Sequence, residues 1–289
     1  MRSVKILVVE TLAGRTLVTH IIIGIGLEHM RISAILMPFF ALIAGIAGFY
    51  LRLMETWDVF DAQTGLPERG AAISLALIGL TVCFLVIIIL FALRARIRFY
   101  SPEGFENAFG TDPLAYPFLF FFIGIIWLGA TVKHFLDMNA SGALPLSELL
   151  FSAMSALSAI AVALFAIEVY QDPRRKTKLV LSVVPTLFMC FWLILLYRRN
   201  AANPILLSYC YQCLAIISSA LSFYFISGFV YSKPAPCKTI VAHFSAVYFC
   251  FVSLADDLTL SIKLLFAAII AVNLIYASML LRNMHRKRS

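Results

Sequence analysis

Eight ionisable side chains fall at or just beyond the ends of long apolar runs: Arg52, Glu55, Asp58 and Asp61, then His134 and Asp137, then Asp256 and Asp257. Carboxylates gathered with a guanidinium and an imidazole can hold a charged solute or a cation, so if these run ends converge they form a polar mouth. His134 and Asp137, three apart, have a spacing that suits two metal ligands, but a metal needs at least a third and the sequence assigns none. His243 and Asn273 lie inside apolar runs, where polar side chains are costly enough to be functional candidates by default. Across a helical hairpin they are placed to meet, either as a relay or solute site or as a hydrogen bond that glues two helices. Cys210 and Cys213 form a C-x-x-C pair, the spacing of thiol–disulfide chemistry. An oxidoreductase needs a second pair to pass electrons on, and Cys83, Cys190, Cys237 and Cys250 are scattered singly. No nucleotide loop, paired-histidine motif or serine elbow is present, so the sequence implies no cofactor and fixes no reaction.

The elements that carry these residues follow from composition. Of 289 residues, 62% are apolar and 13% charged, with a mean hydropathy of +0.95. A soluble chain carries roughly 25% charged residues, so an aqueous enzyme, a disordered tail and a nucleic-acid module are excluded. A spanning helix needs about 20 mostly apolar residues. Eight stretches meet or approach that length, near 32–51, 71–93, 116–132, 149–167, 179–197, 205–230, 239–254 and 258–281. The fold class expected is an all-α polytopic transmembrane helix bundle forming a single domain over residues 30–289.

Loop charges orient the bundle. The side holding the N-terminus carries 17 Lys and Arg and the other side 6. Lys and Arg accumulate on cytoplasmic loops, which predicts a multi-pass protein of the cell membrane with both termini cytoplasmic. The basic excess then meets anionic lipid head groups, and nucleic acid is not needed to account for the net charge of +8. Residues 1–29 do not fit this scheme. Lys5, Glu10, Arg15 and His20 recur every five positions and so scatter around a helix, which suits neither a span nor an interfacial helix. This segment is expected to be a loosely attached N-terminal arm or a mis-called upstream start; the alternative is a ninth helix, which would put the N-terminus outside.

Packing signals are local. Small residues four apart let helices approach closely in lipid, as in Ala41/Gly45 and Ala44/Gly48. The Ser- and Ala-rich run from Ser152 to Ala166 marks the fourth span as central. Phe118, Phe120, Phe121, Phe122 and Trp127 make the third span lipid-facing or a bulky wedge, and Pro185 interrupts the fifth. Arg52 and Glu55, three apart, are expected to pair on an interfacial extension of the first span. Ser101-Pro102 before Phe105, Ala108 and Phe109, with Gly110 after, predicts a short helix lying on the membrane surface.

The stretch Arg52-Leu-Met-Glu-Thr-Trp-Asp-Val-Phe-Asp-Ala-Gln-Thr-Gly-Leu66, with the Ser101–Phe109 segment, resembles uncharacterised eight-helix integral membrane proteins of anaerobic Firmicutes. The resemblance implies location and topology, and a chain that starts just before the first span. From the residues themselves, the function expected first is carrier-like binding or sensing of a small solute from the outer mouth. The alternatives are an accessory or anchor subunit that holds a partner protein, and an intramembrane thiol oxidoreductase.

Overall fold

The computed structural model describes residues 34–59, 70–100, 104–110, 115–140, 142, 145–171, 177–203 and 205–286. The expected arm at 1–29 and Asp61 lie outside the described residues. Among the described residues eight helices are long and apolar enough to cross a membrane: α1 Ala34–Asp58, α2 Ala72–Arg98, α4 Ala115–Ala140, α5 Leu146–Gln171, α6 Thr177–Asn200, α7 Cys210–Val230, α8 Pro236–Ser253 and α9 Leu260–Asn283. The short α3, Gly104–Phe109, follows α2. Every span exists where the apolar runs predict it, but most overrun those bounds. α1 continues through Asp58 and α4 through Ala140, because a charged residue ends an apolar window without breaking the backbone hydrogen bonds that propagate a helix.

Helices α4, α5, α6, α7, α8 and α9 pack in succession, and α9 returns to α4. Aromatic rings fill the middle of this ring of helices. Trp127 of α4 approaches Phe188 of α6, Phe151 of α5 lies against Phe188 and Trp192, and Trp192 stacks on Phe266 of α9 at 5.0 Å. Helices α1 and α2 lie outside the ring against α8. The rings of Phe40, Phe84 and Tyr248 stack in series from α1 through α2 to α8.

The centre of the bundle is not the Ser- and Ala-rich α5. Within their apolar windows 72% of α8 and 67% of α9 are buried, against 50% of α5 and 28% and 22% of α1 and α2. α8 is also the least apolar of the eight spans. The inversion has a physical reason: only a lipid-facing helix must be apolar all round, whereas an interior one can carry Thr239, His243, Ser245 and Ser253, all buried. The small residues of α5 serve a pairwise seam instead. Ala163 Cβ and the Ala159 carbonyl oxygen sit 3.0 and 3.3 Å from where a Cβ on Gly124 of α4 would be. The Phe-rich face of α4 divides as well, with Phe118, Phe121 and Phe122 exposed and Phe120 and Trp127 buried.

α6 runs through Pro185. Proline loosens the carbonyls three and four residues before it, and Ser227 Oγ donates to the Ser182 carbonyl at 2.8 Å, which keeps that group satisfied away from water. The expected short helix is present, with Ser101 and Pro102 outside the described residues. α3 starts at Gly104, at φ +80°, and docks across one end of the bundle. Phe105, Ala108 and Phe109 are buried, with Phe109 edge-on to Phe229 and Tyr276. Asn283 Nδ2 donates to the Ala108 and Gly110 carbonyls, and the two-residue strands Phe99–Tyr100 and His285–Arg286 pair antiparallel.

The close approach of α1 to α8 needs its glycines. A Cβ at Gly45 would stand 2.7 Å from the Phe251 ring and one at Gly48 2.8 Å from Val252 Cγ2. Overpacking of this kind costs about 1–3 kcal/mol. Gly45→Leu is therefore expected to lower the thermal midpoint of the purified protein in detergent, while Gly79→Leu, at a position open to its surroundings, leaves it within error.

Candidate functional site

Arg52 sits on the last two turns of α1, and the close α1–α8 seam carries it to the loop that joins α8 to α9. There its side chain is 1% exposed and fully engaged. Nε donates to Asp256 Oδ1 at 2.8 Å, Nη1 to Glu55 Oε2 at 2.7 Å, and Nη2 to the carbonyls of Leu207 and Ser208 at 3.1 and 3.2 Å. The guanidinium also faces the Tyr211 ring, 5.2 Å from its centroid. The carboxylates have further partners. Ser74 Oγ of α2 donates to Glu55 Oε1 at 2.6 Å, and Gln212 Nε2 of α7 to Asp256 Oδ2 at 2.9 Å. The expected Arg52–Glu55 pair is present, and it is buried within the protein.

Two carboxylates share this one guanidinium. Burial pushes the Asp256 carboxyl above the ordinary carboxylate range, with the charge of Glu55 adding to it, while Arg52 and Gln212 pull the other way. The arrangement is a closed ion network with its donors and acceptors matched, and its chemistry is that of a clamp.

A second polar group lies at the same end of the helices, where α4, α5 and α6 meet. Glu148, in the first turn of α5, accepts from Arg199 Nη2 near the end of α6, and its Oε2 lies 3.2 Å from His134 Nε2 on α4. His134 and Glu148 are buried, and Arg199 is 42% exposed, so the group reaches the surface through the arginine. A carboxylate accepts, so Nε2 carries a proton, and in the neutral ring Nδ1 is then a lone pair. Nδ1 is buried and has no hydrogen-bond partner among the described residues, and the same holds for Ser152 Oγ on α5. Thr131 and Ser155 oxygens lie 2.7 Å apart in the α4–α5 seam. One step of three residues along each antiparallel helix from that pair brings Ser152 to the level of His134.

The remaining sequence candidates separate. Asp137 turns outward to Lys133, 3.1 Å away on a partly exposed pair, so His134 and Asp137 do not converge as metal ligands. Asp58 and Asp257 are exposed. Of the described candidates, Arg52, Glu55 and Asp256 come together in one network and His134 sits in a separate corner. His243 and Asn273 do meet: Nδ1 and Oδ1 are 2.7 Å apart, and Asn273 Nδ2 donates to the Ile269 carbonyl at 2.8 Å. Cys210 and Cys213 open α7 as free thiols. The other four cysteines form no second pair: Cys83 and Cys190 are exposed, Cys237 donates to the Ala92 carbonyl and Cys250 is buried beside Ser219.

Ser74, Gln212 and Ser152 were not legible as site residues. Each is a polar side chain in an apolar run, and only the packing of α2, α5 and α7 shows what it faces. No protein-family model, curated protein or solved structure matches the chain.

Removing one partner of a buried ion pair strands the other charge, at about 3–5 kcal/mol. Arg52→Met is therefore expected to abolish a cooperative thermal transition or lower it sharply, and Arg52→Lys to recover little, since an ammonium cannot reproduce the fork. Lys133→Ala, which breaks a pair of the kind worth under about 1 kcal/mol, should leave the melting curve unchanged.

Proposed function

We propose that this multi-pass membrane protein binds a small polar solute in the corner between α4, α5 and α6, as a solute sensor of the cell membrane with both termini cytoplasmic. The observation that carries the reading is the pair of unpartnered buried polar atoms, His134 Nδ1 and Ser152 Oγ, at one level of one seam. An unsatisfied buried group costs about 1–3 kcal/mol, and the contact of His134 Nε2 with Glu148 leaves that cost standing at Nδ1 and at Ser152 Oγ. A lone pair beside a hydroxyl suits a solute bearing an N–H or O–H group, and Arg199 marks the way in. Sensing fits better than carriage because the aromatic centre of the ring of helices leaves a one-sided site. The orientation rests on the 17-to-6 division of basic residues, which also sets anionic lipid heads against the cytoplasmic end.

A second reading has its own support. The lipid-facing surfaces of α1 and α2, with Phe39, Ile43, Ile46, Leu75, Val82 and Val86 exposed, give the broad flank that an accessory or anchor subunit would offer a partner protein.

Native mass spectrometry of protein extracted directly into lipid nanodiscs separates the two. The solute reading expects wild-type protein to carry a small-molecule adduct that is lost in His134→Phe and in Ser152→Ala and retained in Lys133→Ala. Wild-type protein that carries lipid and a second polypeptide, with no small molecule, supports the anchor reading and overturns the first.

A further inference from the structure

His243 stands near the middle of the membrane-spanning part of the bundle. It is seven residues from the start of α8 and ten from its end, roughly 10 and 15 Å at 1.5 Å per residue. Its partner Asn273 is ten residues from the end of α9. Both side chains are wholly buried. The hydrogen bonds settle which atom does what. Asn273 Nδ2 is committed to the Ile269 carbonyl, so the Asn273 atom 2.7 Å from the imidazole is the oxygen, which can only accept. His243 must then carry its proton on Nδ1, and in the neutral ring Nε2 presents a bare lone pair. That atom is buried and has no hydrogen-bond partner among the described residues.

Interhelical glue explains the Nδ1 bond but not Nε2. A Ser or Asn would join α8 to α9 without burying a second, unpaired nitrogen. The surroundings are packed on the sides that can be named: Asn273 lies on one, and Tyr276, its ring centroid 6.0 Å away, on another. A proton is the one ligand that needs no room. From these observations we infer that His243 Nε2 is a protonation site in the middle of the bundle. Protonation takes one proton from a hydronium, releases water and forms the new N–H bond at Nε2, while Nδ1–H stays on Asn273. The imidazolium is then held by the Asn273 oxygen and by the Tyr276 ring, at the outer limit of cation–π range.

The titratable groups facing this position are few. α9 contributes Tyr276. α8 itself carries Lys238 five residues away, and Tyr248 and Cys250 five and seven residues the other way, where Tyr248 is tied to Thr81 of α2 and Cys250 to Ser219 of α7. The carboxylates of α1, Glu55 and Asp58, lie near its far end. No described carboxylate lies in the middle of α1, α2, α7 or α9 to hold the charge, so protonation is reversible rather than locked. The nearer end of α8 is the one α3 covers, and Phe109 of α3 packs on Tyr276, which packs on His243.

Nitrogen-15 NMR of histidine-labelled protein in lipid nanodiscs reads the site directly. One of the five histidines, identified by its absence from His243→Gln, is expected in the Nδ1–H form at high pH. It should convert reversibly to the doubly protonated form on acidification, with the other resonances staying folded. Asn273→Asp supplies a second test if the glutamine variant does not fold. A carboxylate against Nδ1–H favours the charged ring and should move the midpoint of that conversion up by about one to three pH units. A His243 signal that stays neutral until the protein unfolds, one that reports the Nε2–H form, or a midpoint unmoved by Asn273→Asp would overturn the inference.

Discussion

Arg52 offers its N–H donors in a fixed plane, and four hydrogen bonds take them to acceptors on α1 itself, the 206–208 turn and the α8–α9 loop. Through Glu55 and Asp256 the same centre reaches Ser74 on α2 and Gln212 on α7. In a medium with no water to satisfy a stray charge, such a cluster stands complete or costs several kcal/mol. It therefore fixes how α1 and α2, which lie outside the ring of helices, register against α7, α8 and α9. The glycines of α1 act toward the same end, because only a close α1–α8 seam brings a guanidinium from the end of one helix to a carboxylate beyond the end of the other.

That constraint leaves polarity distributed in an unusual way for a chain so apolar. The most buried helix is the least hydrophobic, and the most hydrophobic, α2, is the most exposed. Lipid accounts for both. It is as apolar as any core, so burial in the bundle carries no hydrophobic reward, and what holds helices together is close packing and interhelical hydrogen bonding. The links Thr81–Tyr248, Ser219–Cys250, Ser227–Ser182 and His243–Asn273 are the visible form of that rule. Set against them, the two unpaired imidazole nitrogens stand out, since nearly every other buried polar atom among the described residues has a partner. One lies at a corner that Arg199 opens to the surface and the other in the middle of α8, so the two differ in what can reach them.

Several features of the site could be read without coordinates, and the physical reasons differ. Arg52 and Glu55 pair because three residues on a helix is a fixed geometry. His243 and Asn273 meet because consecutive spans form a hairpin and residue depth follows from helical rise. Asp256, by contrast, reaches Arg52 across 204 residues of chain, and nothing in its neighbourhood in the sequence announces that. Gln212, near the start of an apolar run, carries no sign of being the second donor to Asp256. His134 and Asp137 illustrate the reverse failure, since a spacing that suits metal ligands is also the spacing at which one side chain turns inward and the other outward.

The sequence alone determined that the chain is a multi-pass membrane helix bundle, with its spans at the eight long apolar runs among the described residues, because the cost of an unpaired backbone group in lipid leaves few other solutions for runs of this length. It also determined the close contact of α1 through Gly45 and Gly48, because only small residues permit one. Tertiary structure decided which helix is central, which charges are clamped and which polar atoms are left over. Centrality depends on how many neighbours a helix acquires, and hydropathy reports only what it can tolerate: α5 has the small residues, yet α8 has the neighbours. Whether a buried nitrogen is satisfied depends on atoms from other helices, and no periodicity along one helix records them.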